Sequence, residues 1–125
     1  MTSARHVLLL TAITGALAVA FGAFGAHALR ETLDAAQLGT WQTAVSYLFW
    51  HVLAALFAAR YAETAPSRPA LLAATLFLAG SFVFSSTLFA IALGAPRWLG
   101  AITPLGGTAL IAGWLALAWA VWRRA

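Results

Sequence analysis

The sequence predicts an all-α protein, an integral membrane four-helix bundle, and three observations carry that prediction. Hydrophobic residues make up 63% of the 125 and charged residues only 8%, against roughly 45–50% and 25% in a soluble domain. The apolar residues gather into four runs of about 20 residues, each long enough at roughly 1.5 Å per residue to cross a hydrocarbon core of about 30 Å. All seven cationic residues are arginines, and they stand at or near the ends of those runs. A chain this apolar cannot cover itself with polar surface, so the lipid bilayer is its expected solvent. The length is that of a single domain.

The first span is expected over residues 7–29, free of Asp, Glu, Lys and Arg and flanked by Arg5 and Arg30. Ala26-His27-Ala28 has the A-x-A form of a signal-peptide cleavage site, but the apolar run exceeds the roughly 7–15 residues of a signal core, which favours a retained span. Residues 30–40 are the most polar stretch, with Glu31, Asp34 and Gln37, and read as a polar loop or a short interfacial helix. Gly39 and Thr40 punctuate its end, with Thr40 the expected N-cap of the next helix unless one helix runs through and kinks at Gly39. The second span, 41–61, carries aromatic residues at both ends, as interface anchors do. ETAPSRP is a proline-marked loop, and the third span follows over 70–93. Gly94-Ala95-Pro96-Arg97 breaks the chain again. The fourth span, 104–122, opens on Thr103 as N-cap with Pro104 at the first helical position, and it closes on tryptophans beside Arg123 and Arg124.

Four spans put both termini and the 2–3 loop on one side. That side holds Arg5, Arg60, Arg68, Arg123 and Arg124, against Arg30 and Arg97 opposite. The positive-inside rule then sets both termini in the cytoplasm, in the cytoplasmic (inner) membrane. In a soluble protein the net charge of +4 would suggest nucleic acid; at the ends of apolar runs the arginines act as topology signals, and no nucleic-acid partner is expected.

Gly15, Ala18, Gly22 and Gly25 recur at steps of three, four and three, drawing a seam of small side chains down one face of the first helix. Gly106, Ala109, Gly113, Ala116 and Ala120 do the same on the fourth. Helices in lipid associate through close van der Waals packing, which such seams permit. The expectation is that helices 1 and 4 pack through them, with each other or with another subunit. On the second helix Thr43, Tyr47 and His51 lie four apart beside Gln42, Ser46 and Trp50, a polar stripe expected to face the bundle interior. Ser81 and Ser85, with Ser86 and Thr87, form a second polar patch on the third helix and a ready partner for the first.

His51 is the one ionisable group well inside a span, about 15 Å below the start of span two. It is a proton relay or ligand contact on one reading, and on the other a neutral histidine bonded to a neighbouring serine or carbonyl. His27 sits at the outer end of span one. The two histidines differ in depth by about 10 Å, whereas zinc ligands each lie about 2 Å from the metal, so no shared metal and no cofactor is expected. There are no cysteines, and with them go disulfides and thiol chemistry. Small multidrug antiporters couple protons to cations through an embedded carboxylate; here Glu31, Asp34 and Glu63 all fall in loops. No Walker loop, GxSxG elbow or HExxH motif is present, and no enzymatic activity is expected. His27, Gln42, Arg97 and Thr103 would gather toward the outer face, where an arginine and a helix N-terminus favour an anion.

GAFGAHAL closing span one, WQTAVSYLFWH in span two, GSFVFSSTLFAIAL in span three and ITPLGGTALIAGW into span four resemble the YgdD/YwdK-type family. Its members are small four-span bacterial membrane proteins with a vertebrate transmembrane relative, classed as a domain of unknown function. The resemblance covers nearly the whole chain and maps the family motif onto Gly22, Gly25, His27, His51, Thr103, Pro104, Gly106 and Gly107. The usual FSGSLY is replaced by FSSTLF at residues 84–89, without its glycine and tyrosine hydroxyl. What the resemblance implies is the four-span topology; it brings no activity. The function expected is that of a structural or accessory subunit in a membrane assembly or a homo-oligomer. The alternative is a small channel or carrier for a neutral or anionic solute.

Overall fold

The computed structural model describes residues 3–124. Within them α1 spans Ala4–His27, α2 Ala35–Thr64, α3 Arg68–Ala92 and α4 Thr103–Arg124, with a 3₁₀ turn over Arg97–Ala101 before α4. No strand occurs among the described residues. All four long helices are long and apolar enough to cross a membrane.

Local sequence fixes most of the boundaries. The Ser3 side chain accepts from the His6 amide to start α1, and Ser67 does the same for Ala70 ahead of α3. The α2 start differs from the sequence expectation. Asp34 is the N-cap, in a capping box with Gln37: the Asp34 carboxylate accepts from the Gln37 amide at 2.8 Å, and the Gln37 side chain accepts from the Asp34 amide at 2.9 Å. That reciprocal pair satisfies two otherwise orphaned donors, which a threonine after a glycine does not match. Thr40 therefore lies inside α2, its hydroxyl donating to the Ala36 carbonyl. The polar stretch 30–40 is no separate interfacial helix, since it divides into a tight turn and the first turns of α2. Past α3, Gly94 takes φ of 100°, a conformation open to glycine at little cost, and reverses the chain.

The helices pack in chain order. The α2–α3 and α3–α4 interfaces are the most extensive, α1 lies along α2, and α1 meets α3 only lightly. At the centre, Ala54, Ala55, Ala58 and Ala59 of α2 face Ala73, Ala74 and Phe77 of α3. Side chains that small let two helix backbones approach, which is how helices gain dispersion energy when lipid offers no hydrophobic driving force. Many large aliphatic and aromatic residues point outward instead, among them Ile13, Phe82, Leu105, Leu115 and Trp122. Lipid covers them.

Of the two pairings expected for seams 1 and 4, the one with each other does not occur. Gly15 and Gly22 face Val52 and Val45 of α2, whereas Gly106 and Gly113 face Phe84 and Phe77 of α3. Short connections make sequence neighbours into packing neighbours, and each seam is taken by the helix next to it. At one end of the bundle the start of α1, the 65–68 loop and the end of α4 come together: Ala4 shares a cleft with Ser67 and Arg68, and Arg123 and Arg124 share another. The Arg124 guanidinium stands 4.5 Å above the Tyr61 ring.

Candidate functional site

His51 is 6% exposed and lies in a box of aromatic rings. Its neighbours come from three helices: Tyr47 stacked one turn back on α2, Phe77 of α3, and Trp114 of α4, with ring centroids 5.8–5.9 Å away. Both ring nitrogens are engaged. Nδ1 is 2.7 Å from the Tyr47 carbonyl oxygen, and the Trp114 indole N–H reaches Nε2 at 3.1 Å. An indole N–H can only donate, so Nε2 must accept; a carbonyl can only accept, so Nδ1 must carry the proton. The pattern is that of one neutral tautomer. A proton added to Nε2 would face the Trp114 N–H as a second donor and break the tie between α2 and α4.

Beyond Tyr47, the stripe does not join it. Gln42 and Thr43 are exposed, and the Thr43 hydroxyl donates back to the Gly39 carbonyl at 3.0 Å. Tyr47 lies at the edge of the bundle, 36% exposed. Hydroxyls in helices are readily satisfied by their own backbone, so an i, i+4 polar pattern need not mark an inward face. The α3 patch likewise makes its bonds away from the stripe. Ser85 donates to the Ala44 carbonyl of α2 at 2.8 Å. Thr87 and Thr103 join α3 to α4 hydroxyl to hydroxyl at 2.7 Å, and Thr103 also reaches the Leu99 carbonyl. Thr103 is thus the first residue of α4, buried and turned back toward Leu99 instead of capping the amides ahead of it. Ser81, 1% exposed, is the buried side chain whose oxygen finds no partner among the described residues.

The outer-face cluster is not assembled. A cleft of about 420 Å³ at that end holds Gln42 with Gly25, Arg30, Gly39 and Trp41, but not His27, Arg97 or Thr103. His27 and Arg97 are exposed at helix ends. Among the described residues, no group of three His, Asp or Glu stands where it could hold a metal.

Two tryptophans matter more than the sequence suggested. Trp41, expected as an interface anchor, is 3% exposed, and its indole N–H donates to the Phe21 carbonyl of α1 at 2.9 Å. Its ring lies beneath Gly25 and among Phe21, Phe24 and Phe89. Trp114 belongs to no stripe, seam or interface belt in the sequence. The available signal was its position about eleven residues into span four, away from either interface belt, where an indole N–H needs a partner.

Comparison with known proteins agrees with this architecture. A family model described as "Protein of unknown function (DUF423)" matches residues 21–107. The UPF0382 inner membrane protein YgdD of Escherichia coli K12 is 38% identical over 114 residues, covering 91% of this chain and 86% of the relative. A UPF0382 membrane protein of Staphylococcus saprophyticus is 38% identical over 110 residues, 88% of this chain and 91% of its own. A UPF0382 membrane protein of Haemophilus influenzae is 37% identical over 112 residues, 90% of each. No solved structure matches.

Proposed function

The chain belongs to the DUF423 family of proteins of unknown function, a multi-pass protein of the inner membrane, and from that premise we propose that it serves as a structural or accessory subunit in a membrane assembly or homo-oligomer. One observation carries the reading: both His51 nitrogens are consumed inside the protein, by Tyr47 and Trp114. A histidine that relays protons or holds a solute needs a free nitrogen or an adjacent water path. This one spends both nitrogens on protein partners and ties helices together, and the buried hydroxyls Ser85, Thr87 and Thr103 are used the same way.

The proposed orientation has both termini in the cytoplasm. The two arginines of α4 gather with the 65–68 loop at one end of the bundle, in support of a five-to-two arginine bias read by the positive-inside rule. A chain without cysteine suits labelling with a membrane-impermeant maleimide. Thr32→Cys is expected to label from outside intact spheroplasts and Thr64→Cys only after lysis; the reverse order would invert the topology.

A channel or carrier would draw on the outer cleft, where Arg30 and Gln42 offer contacts for a neutral or anionic solute. Purified protein in liposomes separates the two readings. No change in proton or chloride flux, together with a discrete larger species in mild detergent, is the expected result. Flux abolished by His51→Ala would favour the carrier, and a monomer that copurifies with nothing would remove the support for an assembly role.

A further inference from the structure

The lightly joined helices α1 and α3 leave an apolar space between them. A cleft of about 630 Å³ opens between them, floored by Leu48 of α2 and walled by Leu17 and Phe21 on one side and Phe82 and Phe89 on the other. Its volume falls in the usual range of ligand sites, about 300–1,000 Å³. Ser81, whose buried oxygen finds no partner among the described residues, lines the same cleft.

The cleft runs along α1 from Leu10 to Phe21, a length of about 16 Å, which an extended apolar chain matches. The position of Ser81 narrows the chemistry. It lies near the middle of α3, between Arg68 and Ala92, and so about 20 Å from the helix start. Phospholipid headgroups stay at the interfaces and their acyl chains carry no polar atom at that depth, so bulk lipid fills the slot without satisfying the hydroxyl. We propose that the α1–α3 cleft binds a neutral, chain-bearing lipophile whose carbonyl accepts a hydrogen bond from Ser81 at mid-bilayer depth. The phenylalanines of α1 and α3 offer faces for a planar ring bearing that carbonyl. This goes beyond the accessory role and holds whether or not a partner protein exists.

Two probes test it on the full chain in dodecylmaltoside, with ligand-induced stabilisation as the readout. One is a decyl-substituted benzoquinone, the other decylbenzene, which has the same chain on a ring without carbonyls. The quinone is expected to raise the melting temperature at about fivefold lower concentration than decylbenzene, the worth of one neutral hydrogen bond. Ser81→Ala should erase that difference while leaving decylbenzene unaffected. Ala79→Trp, on the exposed rim of the cleft, should abolish the effect of both. The proposal is overturned if neither probe shifts the wild-type melt or if the two act alike. It is equally overturned if the quinone's advantage survives Ser81→Ala, since Ser81 would then be bonding back to its own helix, or if Ala79→Trp leaves the shifts intact.

Discussion

The α1–α2 and α3–α4 joints carry the same spacing of small residues and are built differently. In the second, backbone meets backbone at Gly80 and Gly106, while the Phe77 ring fills the space over Gly113. A Cβ placed on Gly106 would sit 2.5 Å from the Phe84 amide nitrogen and 2.8 Å from the Gly80 carbonyl oxygen, while one placed on Gly80 would come within 3.0 Å of the Gly106 carbonyl. Neither glycine has room for a side chain, and the two helices approach closely enough for Cα–H···O contact. In the first joint the facing atoms belong to side chains: Val52 opposite Gly15, Val45 opposite Gly22, Trp41 opposite Gly25. Small residues therefore perform two tasks, fixing one helix pair rigidly and merely making space in the other. Among the four spans α1 is the least buried, with 17% of its most apolar stretch buried against 39% for α3.

Gly106→Ala is the severest way to break this comparison. The methyl group meets backbone that cannot rotate away, so α4 must separate from α3 along the seam and carry the Thr87–Thr103 bond with it. Overpacking of this kind costs about 3 kcal/mol. The expected outcome is a clearly lowered melting temperature by circular dichroism in detergent, and an unchanged melt would show that the α3–α4 joint is not backbone-limited.

Gly25→Ala comes second, because its obstacle is movable at a cost. The new methyl would overlap the Trp41 indole, and swinging the ring aside forfeits its hydrogen bond to Phe21. Loss of that bond and the repacking together amount to about 2 kcal/mol. Besides the lower melting temperature, Trp41 emission should change as its indole N–H loses the carbonyl, measurable in a variant that keeps Trp41 and replaces the other tryptophans with phenylalanine. A normal Trp41 spectrum would mean the helices had parted and the ring had stayed.

How far the sequence anticipates this follows from what each signal measures. Run length and charge placement report on the bilayer, so the four helices and their apolar outer faces were legible. The small-residue seams were legible as faces but not as pairings, because residue size says that something comes close without saying what. The polar stripe failed for a related reason. Thr43 shares a helix face with His51 by spacing, yet its hydroxyl is satisfied by its own backbone and carries no need for an interior. His51 alone had both the depth and the demand for partners, and its partner Trp114 sat 63 residues away, beyond the reach of any local pattern. Asp34 with Gln37 has the form of a capping box, a stronger helix start than the glycine and threonine at 39–40.

The smallest effect gives the sharpest test, at Gly22. It lies in the same seam as Gly25 and in the same family motif, so motif membership predicts equal sensitivity for the two. Geometry predicts otherwise. A Cβ on Gly22 would stand 3.4 Å from Val45 Cγ1, ordinary van der Waals contact with the end of a side chain that can adjust. Against that neutral contact, replacing a helix-interior glycine by alanine gains up to about 1 kcal/mol of backbone propensity in water, and less in lipid, where the unfolded reference is already helical. Gly22→Ala should therefore melt within about 0.5 kcal/mol of wild type, with any change toward greater stability. If instead it destabilises as much as Gly25→Ala, the α1–α2 contact is as close as the α3–α4 contact, and the distinction between a backbone joint and a side-chain joint fails at its softest point.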